Sequence, residues 1–141
     1  MKKAIILSFV CMILAATTMA QSQEEKNKTV VERFLKAYME CDLNTIAETV
    51  SKEVKMYSFG EFWLDYDGLI NVTKEKKGTA EKISYEEWVV EDNKVVAKWT
   101  SFWKSGVYRG VTLGVIEDGK IIEWWAYFKK TGETGETGEM Y

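Results

Sequence analysis

Between Ile83 and Lys129 the chain presents four long strand-like runs, and the whole chain has no proline to interrupt them. This constrains the fold more than any other feature. The runs lie near 83–90, 94–104, 107–117 and 120–129. They are separated by Asp92-Asn93, Lys104-Ser105-Gly106 and Asp118-Gly119, which are all hairpin-forming sequences. Consecutive strands joined by tight turns make an antiparallel meander, and one apolar face of it needs cover.

That cover is supplied upstream. Thr29-Val30-Val31-Glu32 fits a capping box after a polar, frayed lead-in over Gln21 to Lys28, with a helix start one turn earlier as the alternative. Val30, Val31, Phe34, Leu35, Tyr38 and Cys41 then recur at helical spacing. Leu43, Ile46, Ala47 and Val50 predict a short second helix, with Thr45 as a cap. Val54 to Ser58 reads as a short strand and Phe59 to Asp67 as an aromatic loop. Asp67-Gly68 opens a third helix ending near Gly78, with Asp67 as its N-cap. Helices followed by a meander imply an α+β domain, a curved antiparallel sheet whose N-terminal helices enclose a pocket.

Side-chain alternation assigns the faces. A two-residue turn at Asp118-Gly119 places Arg109, Val111, Leu113 and Val115 beside Ile122, Trp124, Ala126 and Phe128. A three-residue loop at Lys104-Ser105-Gly106 adds Val95, Ala97, Trp99, Ser101 and Trp103 and keeps Lys98 outside, where its charge stays wet. The Asp92-Asn93 turn adds Ser84, Glu86, Trp88 and Val90. Glu86 and Arg109 are then the charged members of an apolar inner face. The other face, with Tyr108, Trp125 and Tyr127, is too apolar for open water, which predicts a homodimer through the sheet.

The ends carry different signals. Lys2-Lys3, the apolar run Ala4 to Ala16 and Thr18-Met19-Ala20 form an export signal cut after Ala20, so residues 1–20 are a cleaved signal peptide. Bulky Val10 before Cys11 argues against a lipoprotein. The expected location is secreted or periplasmic, with no membrane attachment after cleavage. The domain spans 21–130, and residues 131–141, a Thr-Gly-Glu repeat, form a disordered tail. Loss of two lysines takes the formal charge from −3 to −5, which argues against nucleic acid as a partner. Cys41 is left as a single thiol, expected to be buried and inert. The absence of histidine removes histidine triads and histidine metal sites, and neither metal nor cofactor is expected.

The segment Gly114-Val115-Ile116-Glu117-Asp118-Gly119-Lys120-Ile121-Ile122-Glu123-Trp124-Trp125 is similar to the ending of SnoaL-like domains, a branch of the nuclear transport factor 2-like superfamily. Asp67-Gly68-Leu69 and the opening helix pair resemble the same family, and the resemblance runs from about Lys28 to Lys129. It implies a cone-shaped α+β barrel around a deep pocket, often dimeric through the sheet. The family includes polyketide cyclases, ketosteroid isomerases and limonene-epoxide hydrolases, so fold alone does not fix activity. Trp124-Trp125-Ala126-Tyr127-Phe128-Lys129 resembles the epoxide-hydrolase strand, but Ala126 and Lys129 stand where that strand carries acids.

The resulting expectation is a pocket that holds a small apolar or amphipathic molecule without transforming it. Its wall is expected from Tyr57, Trp63, Tyr66, Trp88, Trp99, Trp103, Leu113, Trp124 and Phe128, with Arg109 holding an anionic end. Two alternatives stay open. One is an isomerase or cyclase using Glu86, its pKa raised by burial, together with Arg109. The other is a protein-interaction module acting through the outer sheet face.

Overall fold

A computed structural model describes residues 22–132. The expected signal peptide and most of the expected tail lie outside the described residues. Residues 22–40 are helical (α1), so the segment expected as a frayed lead-in belongs to the helix. Asn27 anchors that first stretch, because its buried amide donates to the Asp92 carbonyl at 2.9 Å. The helix ends where Cys41 turns left-handed (φ 57°) and the Asp42 N–H donates back to the Ala37 carbonyl at 2.9 Å. Cys41 is therefore a half-buried helix terminator and not a core thiol.

The second helix, α2 (Leu43–Thr49), is capped by Asp42, whose carboxylate accepts from the Asn44 and Thr45 amides, both at 3.1 Å. This replaces the expected cap at Thr45. The chain passes directly into β1 (Val50–Ser58), longer than the predicted strand, and β2 (Glu61–Leu64) occupies the predicted aromatic loop. Helix α3 (Tyr66–Glu75) is capped by Asp65, which accepts from the Gly68 amide at 2.9 Å, so Asp67 is not the cap. The meander follows as β3 (Ala80–Glu91), β4 (Lys94–Trp103), β5 (Gly106–Glu117) and β6 (Lys120–Gly132).

The six strands form one curved, unclosed sheet in the order β2-β1-β6-β5-β4-β3. It is mixed, because β1 pairs parallel to β6 while every other neighbour is antiparallel. The architecture is the expected α+β class, with α1 and α3 packed on the inner face. Val31, Phe34 and Leu35 of α1 and Leu69 of α3 meet Val54, Met56, Val95, Trp124 and Ala126 of the sheet in one core. Phe34 sets its ring edge-on to Trp124, with centroids 5.0 Å apart.

Two bulges correct the predicted faces. Val115 pairs with Glu123 but Ile116 pairs with Ile121, so Ile122 is an extra residue in β6. Beyond that bulge the β5 side chains swap faces: Gly110, Thr112 and Gly114 point inward, opposite Phe128, Ala126 and Trp124. Arg109, Val111, Leu113 and Val115 lie on the outer face. The β4–β5 hairpin has a two-residue loop, with Trp103 paired to Gly106, and Lys98 stays outside. In β3, Tyr85 pairs with Trp99 and Glu87 with Lys98, which makes Glu86 the bulged residue. Ile83 and Tyr85 therefore replace Ser84 and Glu86 on the inner face, while Trp88 and Val90 remain there.

Candidate functional site

The inner face, α1 and α3 enclose an open-ended cavity of about 580 Å³. Its interior is lined by Phe34 and Leu35 of α1, Met56 of β1, Leu69 of α3, and Trp99, Thr112, Trp124 and Ala126 of the meander. Small residues on β5 make the room. A methyl group at Gly110 would stand 2.6 Å from the Tyr127 carbonyl oxygen and 2.8 Å from the Trp99 ring. One at Gly114 would stand 3.2 Å from both Trp124 and Val31. The glycines let large rings of the neighbouring strands lie over β5.

The outer end of the cavity is polar. Lys76, at the C-cap of α3, places its ammonium 3.0 Å from the Tyr38 hydroxyl and 5.2 Å from the Trp103 ring centroid. The Lys104 amide donates to the Thr79 carbonyl at 2.8 Å, joining the β4–β5 turn to the turn after α3. Ser105 and Tyr108 hydroxyls lie 3.3 Å apart. Deeper in, the Trp103 indole N–H donates to the Ser101 hydroxyl at 2.8 Å. Among the described residues, the buried Trp99 indole N–H and Thr112 hydroxyl have no hydrogen-bond partner.

Of the residues expected at the pocket, Trp63, Trp99, Trp103, Trp124 and Phe128 line it. Tyr57 does not: it stacks on Trp125 on the other side of the sheet, with centroids 4.1 Å apart. Tyr66 is buried at the start of α3 beneath the Lys52 ammonium, 3.7 Å from its ring centroid. Trp88 packs on Tyr85 at 5.0 Å, away from the cavity wall. Arg109 and Leu113 are displaced to the outer face by the β6 bulge. Burial also pushes the Tyr85 hydroxyl pKa up to about 12.

Glu86 is likewise outside. Its carboxylate accepts from the Thr100 hydroxyl at 2.7 Å and pairs with Lys98 at 3.1 Å. The Thr100 hydrogen bond, followed by Lys98, lowers its pKa, opposite to the rise expected from burial. Residues missed from sequence are Tyr38 and Met56, and also Lys76, Tyr108 and Thr112. The repeat Gly106, Gly110, Gly114 signals which face of β5 accommodates bulky neighbours, and it would have brought Tyr108 and Thr112 inside.

Backbone comparison decides the fold. A LEH-like epoxide hydrolase from M. tuberculosis superposes with a TM-score of 0.65 at 15% identity, covering 75% of this chain and 84% of that one. A nuclear transport factor 2-like protein of unknown function from Burkholderia xenovorans gives 0.66 at 16% identity, over 81% and 91%. A proposed ketosteroid isomerase from Kribbella flavida gives 0.68 at 10% identity, over 84% and 92%. This is the nuclear transport factor 2-like fold. No protein-family model and no curated protein matches the sequence. In this chain, Ala126 sits in the cavity wall, 5% exposed, at a position where the resemblance implies an acid in the epoxide hydrolases. Lys129 is exposed and lies outside the cavity.

Proposed function

We propose that the protein is an exported binder of a small, largely apolar molecule, which it holds in the cavity without transforming it. The observation carrying this reading is the lining. Among the described residues, the cavity wall offers aromatic and aliphatic surface, hydroxyls and two lysines, with no carboxylate or thiol. General acid–base chemistry needs a titratable group within hydrogen-bond reach of the reacting atom, and the ones this wall holds, Lys76, Lys104, Tyr38 and Tyr108, gather at the polar end and not around the apolar interior. An isomerase or cyclase relying on Glu86 and Arg109 would need both in the cavity, and both lie across the sheet from it. The size suits a small organic ligand, since pockets of a few hundred cubic ångströms are typical of such sites.

Native mass spectrometry of the protein isolated from its own host tests this reading. The expected result is a retained organic molecule of a few hundred daltons, released unchanged on denaturation. Export rests on residues 1–20, and N-terminal sequencing of the extracytoplasmic protein should begin at Gln21.

A further inference from the structure

Resting on that reading of the cavity, we propose that its rim selects an amphiphile with one anionic head, held by Lys76. Three observations converge. First, the cavity interior is mainly apolar, with Ser101 and Thr112 as its polar members, and its charged groups lie at the end formed by Tyr38, Lys76, Thr79, Lys104, Ser105 and Tyr108. Second, the charges lining it are of one sign. Lys76 and Lys104 contribute, and no acid does among the described residues, although the whole chain carries a net charge of −3. A one-signed rim over low-dielectric walls concentrates the opposite charge at the opening.

Third, the exposed Lys76 ammonium has partners at the rim. It donates to the Tyr38 hydroxyl at 3.0 Å and lies over the rings of Tyr38 and Trp103, at 5.5 and 5.2 Å from their centroids. An ammonium has three donors, so the bond to Tyr38 leaves hydrogen-bonding capacity for a carboxylate. The anionic end therefore belongs at the junction of α1, α3 and β4, with the hydrocarbon part running inward towards Met56 and Ala126. Arg109, the expected anion anchor, has no part in it.

Isothermal titration calorimetry with decanoic acid and 1-decanol tests the proposal, because the two share a chain and differ in head charge. The wild type should bind the acid about tenfold more tightly. Lys76→Gln should remove that preference and leave decanol affinity unchanged. Raising the salt concentration should weaken only the acid. Lys129→Gln, an equal change of charge on the outer face, should leave the preference intact. If acid and alcohol bind the wild type equally, or Lys129→Gln matches Lys76→Gln, the head site is refuted. If neither compound binds the wild type, the cavity reading itself fails.

Discussion

Glu86 is the extra residue of a bulge in β3, and its carboxylate reaches Lys98, 3.1 Å away, on the side of the sheet opposite the cavity. Together with the Thr100 hydroxyl, this pairing holds the Glu86 pKa below its ordinary value of 4.5. A carboxylate whose pKa is lowered by folding stabilises the fold above its unfolded pKa, and that contribution disappears as the pH falls through the folded pKa.

Glu86→Gln should therefore lose a little stability at pH 7, under about 1 kcal/mol for so exposed a pair, and the deficit should shrink as the pH falls below 4.5 through the folded pKa. Urea denaturation as a function of pH measures this. Ligand affinity should be unchanged. A loss of binding or of any turnover in Glu86→Gln would return this residue to the functional site.

Gly110→Ala should destabilise by roughly 1–3 kcal/mol, because the added methyl meets the backbone oxygen of Tyr127 as well as the Phe128 and Trp99 side chains. Backbone cannot swing aside as a flexible side chain can. Thermal unfolding reads the loss directly, and a neutral outcome would mean that β5 lies further from β6 than described.

The sequence made most of the elements legible, and the turns at Asp92-Asn93 and Asp118-Gly119 hold as two-residue hairpin turns. The inner set of β4 and, from Trp124 onward, that of β6 were also legible, since Val95, Ala97, Trp99, Trp124 and Ala126 announce themselves by apolar alternation, whereas Ile121 and not Ile122 is the buried residue at the start of β6. The β5 face was not. Its inward positions are glycine, threonine and tyrosine, whereas Val111, Leu113 and Val115 mimic a core stripe on the outside. A single bulged residue reverses parity, and neither Ile122 nor Glu86 carries a local mark of being extra. The candidate site inherited that error, so the expected charged pair moved out and Lys76, on a helix terminus, went unnoticed. The capping errors have a similar origin: Asp42 and Asp65 each stand one position before the helix, and nearby Thr45 and Asp67 offered equally good chemistry.

The Thr112 hydroxyl is buried without a hydrogen-bond partner among the described residues, and Thr112 pairs with Ala126 across β5 and β6. Thr112→Val keeps the shape and removes the unsatisfied group. It should raise stability by about 1 kcal/mol, measured by urea denaturation. A loss of similar size would show that the hydroxyl is bonded in solution, for example to a water in the cavity.

The outer face carries an apolar row that crosses every strand: Phe62, Tyr57, Trp125, Leu113, Val96 and Val89. Tyr127 and Val111 form part of the next row, and Phe62, Val89, Val111 and Tyr127 are all exposed in the single chain. A surface of this kind favours self-association. Sedimentation at micromolar concentration should give twice the monomer mass, and Tyr127→Glu should shift it towards monomer. A monomeric wild type would leave the face to a different partner.

The central claim is that the cavity takes a small apolar molecule, and the most direct measurement is a titration with N-phenyl-1-naphthylamine, a neutral dye that brightens on leaving water. Wild-type protein should bind it saturably with one site per chain. Ala126→Phe, which fills the cavity wall beside Trp124, should fold and abolish the signal. No saturable binding by the wild type, or equal binding by a folded Ala126→Phe, would contradict the account.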